Sequence, residues 1–433
     1  MKLLKKVALQ SLLNSNLFVS TGCTEPIAIA FASSKARELL GEKPAYILVK
    51  LSGNMAKNAM DAGIPGSKHV GAAYVAALGA LSGNPNKGFE LLADLTKEQQ
   101  DEAYDFSLKN VKIEIADTPY KLYIEVIACG APFEEECSSD TKQMNCNSAK
   151  IVVADNHTNI QRMEYNDDVV FNAEKTSAAS NNQDNSSNVS FSVEDIFEFV
   201  DELEDFSMFR KAIAINKALS EEGKAKSWGL NVGKIMPFNE DTIQSRIVSI
   251  TASAVDARMG GAVLPAMACT GSGNQGITVT LPVYQLGKEL SKTDAEIEKA
   301  VAVGVMTAIY IKKNLSVLSH LCGAVIAASG AAAGMTYLLG GDYLAVEFAV
   351  KNVLSSVVGM FCDGAKSTCA LKVSACIDMA IRAANLAMTE EGRIKSKVGI
   401  ANESLDVTVR NIAEIEKNSA DIMDKTILDI MTK

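Results

Sequence analysis

Between Leu315 and Gly341 the chain reads LSVLSHLCGAVIAASGAAAGMTYLLGG, without a single Asp, Glu, Lys or Arg. About 20 apolar residues suffice to cross a bilayer, so this segment belongs either in lipid or in the middle of a protein core. Its apolar content is mostly Ala and Gly, with His320 and several Ser among them, and it has no aromatic belt. Small residues let helix backbones approach closely, and a fully buried helix is apolar all round just as a membrane helix is. We read a central helix, or two short ones hinged near Ser329–Gly330, inside a helical domain, with no membrane partner.

The N-terminus raises a second question of compartment. VSTGCTEP, residues 19–26, places Cys23 where a lipoprotein would be cleaved and lipidated. A signal peptide needs an uninterrupted apolar stretch of about 7–15 residues. Gln10, Asn14, Ser15 and Asn16 interrupt it here. Leu4, Val7, Ala8, Leu12 and Leu13 instead recur at helical spacing, as in an amphipathic helix. The expected location is therefore cytoplasmic. A formal net charge of −10 with no basic cluster argues against nucleic acid or anionic membrane as a partner. Nine cysteines scattered over 433 residues, in a reducing compartment, are core filler, reactive thiols or metal ligands rather than a disulfide frame.

Patterning divides the chain. Residues 1–84 are helix-forming and then rich in small residues, and are expected to pack with a large helical domain. In 85–175 the stretches VKIEIADTP, YKLYIEVIACG and AKIVVADNHTNIQRMEYN alternate apolar with polar, as half-buried strands do. PFEEECSSD and TKQMNCNSAK read as solvated connections, and His157 as part of a surface turn. This is a small α+β domain. Residues 176–190 include TSAASNNQDNSSN, which cannot bury enough surface to offset its ordering entropy and reads as a linker or loop. From 191 to 433 helical periodicity dominates. The expected fold is mostly α, a large helical catalytic domain with a smaller α+β domain inserted.

Four constellations have chemical potential. In FCDGAKSTCALK, Cys362 and Cys369 flank a turn at Gly364, and an out-and-back helical pair brings Cys322 beside them. Three thiolates suit a soft metal or an iron–sulfur cluster, leaving one iron open as a Lewis acid. Buried cysteines also pack as small hydrophobes, and spacing alone leaves both readings standing, with Cys376 adding to the ambiguity. In ACTGSGNQG, residues 268–276, the glycines with Ser272, Asn274 and Gln275 form a loop whose backbone N–H groups suit a carboxylate or phosphate, or else a plain turn. LSGNMAKNAMDAGIPGS repeats Ser-Gly-Asn at Asn54 and adds Lys57, which is a surface lysine, a carboxylate partner or a Schiff-base lysine. Cys23, before Glu25 and Pro26, stands at a helix entry, which favours the thiolate and makes it a candidate base or nucleophile.

GCTEPIAIA, SGNMAKNAMDAGIPG, GSGNQG and CDGAKSTCALK, in this order, resemble the L-cysteine desulfidase family, which is similar in turn to the alpha chain of iron–sulfur L-serine dehydratase. The resemblance covers most of the chain outside 172–190. It implies an oxygen-labile [4Fe–4S] cluster held by Cys322, Cys362 and Cys369. It also implies that Ser272, Gly273, Asn274 and Gln275, with Asn54, bind the amino-acid substrate, and that Cys23 is the catalytic base. Serine dehydratases carry a histidine at the position of Cys23, and their first cluster ligand lies where this chain has Ala328. The first departure implies a different base, and the second favours the desulfidase branch. The implied reaction is elimination from L-cysteine to pyruvate, ammonia and sulfide. A homodimer is the expected assembly. Alternatives are an L-serine dehydratase using the same cluster, a pyridoxal-phosphate lyase with Lys57 or Lys366 as imine lysine, and a cluster-binding redox sensor without enzymatic activity. The pyridoxal reading lacks a doubly wound α/β pattern, and a sensor needs no carboxylate loop.

Overall fold

The computed structural model describes residues 1–92, 95–132, 146–173, 189–235, 241–316 and 318–433. Among these residues the protein is mostly α-helical, with a six-stranded mixed sheet and a separate two-stranded pair. The described residues within Met1–Ser20, Asp184–Cys362 and Ser367–Ile422 form one unit; those within Thr21–Gln183, Asp363–Lys366 and Met423–Lys433 form another.

The first unit is helical. Helix α1 (Leu3–Asn16) buries Leu9, Leu12 and Leu13, whereas Leu4 and Val7, expected on its apolar face, are exposed. Strand β1 (Leu17–Thr21) follows. After the inserted second unit come α6 (Val193–Asp201), α7 (Ser207–Ala225), α8 (Ile243–Met259) and strand β8 (Pro265–Cys269), which pairs with β1. Helices α9 (Gly273–Glu289), α10 (Asp294–Lys312), α11 (Gly323–Leu338), α12 (Tyr343–Val357), α13 (Cys369–Ala387) and α14 (Leu405–Met431) complete the order, with α14 from Met423 onward falling in the second unit.

The charge-free segment is the centre of this unit. It forms one helix, α11, which lies against α9, α10, α12 and α13. The hinge expected near Ser329–Gly330 does not occur, because the Ser329 hydroxyl donates back to the Val325 carbonyl at 2.9 Å within a continuous helix. Gly330 serves close approach instead: a Cβ there would come within 2.5 Å of the Gly304 carbonyl oxygen on α10. Two backbones this near each other tolerate no side chain between them, which is why the stretch is rich in Gly and Ala. Among the described residues no helix is long and apolar enough to cross a membrane.

The second unit holds α2 (Thr24–Leu40), β2 (Tyr46–Leu51), α3 (Gly53–Ala59), α4 (Ala72–Ser82), α5 (Lys97–Asn110) and strands β3 (Val111–Ile115), β4 (Tyr123–Cys129), β5 (Ser148–Ala154), β6 (Ile160–Tyr165) and β7 (Asp168–Asn172). The strand order is β3-β2-β4-β5-β6-β7. Strand β2 runs parallel to β3, with Ile47 opposite Val111, and antiparallel to β4, with Tyr46 opposite Cys129. Helix α2 packs on β4, β5 and α4.

Residues 21–84, expected with 1–20 as one segment, fall in the unit that holds the sheet. The reason lies in β2. YILVKL is buried at every position but Lys50, so it reads as an apolar run, indistinguishable by periodicity from a buried helix. His157, expected in a surface turn, is buried at 6% exposure. Residues 133–145 and all but the last two of the expected linker 176–190 lie outside the described residues.

Candidate active site

Strand β8 delivers the chain to the GSGNQG turn. Thr270 (φ 50°) and Gly271 (φ 84°) adopt left-handed conformations, and Ser272 N donates to the Cys269 carbonyl at 3.0 Å, closing the turn. Helix α9 starts at Gly273, with Ser272 at its N-cap but making no side-chain capping bond. The first N–H groups of a helix lack intrahelical acceptors, and the helix dipole makes this end favourable for an anion. Gly276 is required by space, since a Cβ there would lie 1.7 Å from the Met267 carbonyl oxygen.

The Asn274 and Gln275 side chains, both expected to bind substrate, have polar ends engaged inside the protein. Asn274 Oδ1 accepts from Arg258 Nη1 at 2.8 Å, and its Nδ2 lies 3.3 Å from Met259 Sδ. Gln275 is buried, with Oε1 2.9 Å from the Thr270 hydroxyl. What the turn offers a ligand is its backbone and the Ser272 hydroxyl. Arg258 escaped sequence reasoning because it lies outside ACTGSGNQG; Thr270 lies within that stretch, but nothing local announces its bond to Gln275.

The cysteines gather in the same unit. Cys322 is the N-cap of α11, and its N–H donates to the Met360 carbonyl at 2.8 Å. Cys362 N–H donates to the His320 carbonyl at 2.8 Å, so an antiparallel bridge between Leu321 and Phe361 sets the two cysteines at its diagonal corners, Cys322 opposite Met360 and Cys362 opposite His320. Cys369 opens α13. Burial pushes the Cys322 thiol up, and the neighbouring thiols of Cys362, Cys369 and Cys376 push it further. Cys376 is the odd member: it is buried, with its sulfur 3.8 Å from Met360 Sδ, and burial raises its thiol to about 12.

Among the described residues no three His, Cys, Asp or Glu side chains close on a single metal ion. The thiols of Cys362, Cys369 and Cys376 lie within electrostatic range of Cys322, and thiolates are the ligands that soft metals and iron–sulfur clusters take. The turn reaches the residue beside Cys322. A Cβ on Gly323, the residue after Cys322, would lie 2.9 Å from Cδ and Nε2 of Gln275.

Cys23 and Asn54 belong to the sheet unit. Cys23 is buried at the N-cap of α2, its carbonyl accepting from Ile27 N at 3.1 Å. Gly22 before it has φ 83° and packs on the Pro65 ring. Thr24 donates to Glu25 Oε2 at 2.9 Å, and Asn58 Nδ2 donates to Glu25 Oε1 at 3.2 Å. Asn54 donates its amide to Asp424 Oδ2 at 3.0 Å, and Lys57 Nζ lies 2.9 Å from Asp424 Oδ1. Of the readings open for Lys57, the carboxylate partner is therefore the observed one, and the surface lysine is corrected by its 2% exposure. Lys366 pairs with Asp363 at 3.1 Å.

A family model described as the serine dehydratase alpha chain matches residues 86–429. A UPF0597 protein of Bacteroides thetaiotaomicron is 37% identical, covering 97% of this chain and 96% of its own length. UPF0597 proteins of Oleidesulfovibrio alaskensis and Aeromonas hydrophila are each 34% identical over 97% of this chain, and over 96% and 95% of their own lengths. A helical unit that starts one helix from a Gly-rich turn and another from a cysteine, matched along most of its length by that model, places the chain in the serine dehydratase alpha chain family, among the UPF0597 proteins.

Proposed function

We propose that the protein is an iron–sulfur-dependent amino-acid lyase whose substrate is L-cysteine, which with water yields pyruvate, ammonia and sulfide. The observation that carries this reading is the seating of Gln275, from the GSGNQG turn, against Gly323 beside Cys322. It sets the turn proposed to bind the carboxylate against the residue next to Cys322, a proposed cluster ligand. Membership of the serine dehydratase alpha chain family supports a lyase.

In this reading Cys322, Cys362 and Cys369 would hold a [4Fe–4S] cluster, which would supply Lewis-acid chemistry for departure of the sulfur. The first turn of α9, from Ser272 through Gln275, receives the substrate carboxylate. Cys23 is the proposed base, taking the Cα proton, and Asn54 is a binding residue through its carbonyl end. Loss of the proton and of sulfide gives aminoacrylate, which tautomerises and hydrolyses to pyruvate and ammonia. The paired state of Lys57 with Asp424 weighs against its use as an imine lysine.

Anaerobic purification followed by iron and acid-labile sulfide analysis tests the reading, with sulfide release from L-cysteine measured against pyruvate from L-serine. The expected result is about four irons per chain, with sulfide from L-cysteine, both lost in Cys362→Ala. Faster turnover of L-serine selects the dehydratase. Protein that stays free of iron after anaerobic reconstitution sinks both.

A further inference from the structure

Arg258 stands in the last turn of α8 and is 5% exposed. Its guanidinium lies against the backbone of Gly273, where a Cβ would come within 2.4 Å of Nε and 2.7 Å of Cζ. Its Nη1 donates to Asn274 Oδ1 at 2.8 Å, while Met259, the next residue of α8, lies 3.3 Å from Asn274 Nδ2. The last turn of α8 thus grips the first two residues of α9, by close packing at Gly273 and by hydrogen bonding at Asn274. Gly273 is small because the guanidinium occupies the space a side chain would take.

As a cation in the last turn of α8 Arg258 is placed favourably, but toward α9 the same charge has the wrong sign. The first turn of a helix bears partial positive charge, and a cation beside it is repelled. The same placement is favourable when the turn receives an anion, because cation and N–H groups then act on one charge. We propose that Arg258 is a positioning and specificity residue of the GSGNQG turn. It pins Asn274, holds the N–H groups of the turn in one orientation, and adds the positive potential that selects substrates carrying a carboxylate. This inference rests on the reading of the turn as the carboxylate site of an amino-acid lyase.

The test uses anaerobic holoenzyme and two non-reacting or incomplete substrates. L-alanine has the carboxylate and amine but no leaving group; cysteamine has the amine and thiol but no carboxylate. In Arg258→Gln, calorimetric affinity for L-alanine should weaken and KM for L-cysteine should rise by roughly 10- to 100-fold, the usual scale for a charged hydrogen bond. Cysteamine affinity and iron content should stay within about twofold by the same argument. Arg258→Lys keeps the charge but loses the planar fork and should fall between. Gly273→Ala, which displaces the guanidinium, should act in the same direction, and Asn274→Ala should add little in the Arg258→Gln background. If Arg258→Gln does not fold, Gly273→Ala and Asn274→Ala carry the test. Equal losses for L-alanine and cysteamine would mean a structural role and overturn the inference, as would unchanged L-alanine binding in Arg258→Gln. Wild-type protein that neither binds L-alanine nor turns over L-cysteine or L-serine defeats the lyase reading itself, and the inference with it.

Discussion

Lys57 and Asp424 are 367 positions apart in the sequence, and their charged atoms are 2.9 Å apart in the sheet unit. The lysine is 2% exposed, and Asp424 also receives Asn54 at 3.0 Å, with Lys121 Nζ 3.6 Å from the same carboxylate. Removing one partner of a buried pair leaves an uncompensated charge, typically at a cost of about 3–5 kcal/mol. Asp424→Asn should lower the unfolding free energy on that scale. The double variant Lys57→Met/Asp424→Leu should recover much of it. A loss under about 1 kcal/mol in urea denaturation of Asp424→Asn would show that water reaches the pair and screens it.

Gly323 joins the turn to the cysteines. An alanine there meets Gln275 at 2.9 Å, and the amide must leave its place beside Thr270. Overpacking of this kind costs about 1–3 kcal/mol. Gly323→Ala should therefore shift the visible absorbance of anaerobically reconstituted protein and shorten its lifetime in air. A spectrum and lifetime identical to wild type would show that Gln275 moves without disturbing Cys322.

Asp256 gives a pH signature. It is buried, and desolvation raises its carboxyl above the ordinary range, against opposing hydrogen bonds from the backbone of Gly233, Leu230 and Val232 and the nearby Lys234 charge. A raised acid binds its proton more tightly when folded. Its contribution is therefore fully present below the unfolded pKa of about 3.9 and is lost as pH rises through the folded value. The difference in unfolding free energy between wild type and Asp256→Asn should fall as pH rises from about 4. A difference independent of pH would place the carboxyl in contact with water.

Gly330 and Gly304 mark the crossing of α10 and α11. A Cβ on Gly330 would stand 2.5 Å from the Gly304 carbonyl oxygen, and backbone cannot swing aside as a side chain can. Gly330→Ala should lose about 1–3 kcal/mol or more, whereas Gly359→Ala, with nothing within 4 Å, should lose under about 1 kcal/mol. Equal thermal midpoints for the two variants would contradict this packing.

Much of the fold was legible because periodicity reports burial. Alternation in VKIEI and YIEVIAC marked β3 and β4, and absence of charge from 315 to 341 marked the central helix. Strand β2 was not legible, because a strand buried on both faces loses its alternation. The order of motifs likewise carried the family, since GSGNQG and CDGAKSTC keep their residue types without a structure.

Spatial pairing lay beyond the sequence. Nothing near Asn274 in the chain announces Arg258, and nothing near Lys57 announces Asp424. Spacing left Cys322 undecided between ligand and core filler; the bridge between Leu321 and Phe361 ties its segment to that of Cys362. By itself the sequence determined which segments are buried and which residue types carry chemistry, because both are local properties of side chains. Which polar group meets which was decided by the tertiary structure alone. A hydrogen bond or ion pair depends on a few ångströms of separation, and only the packed fold sets that distance between residues far apart in the chain.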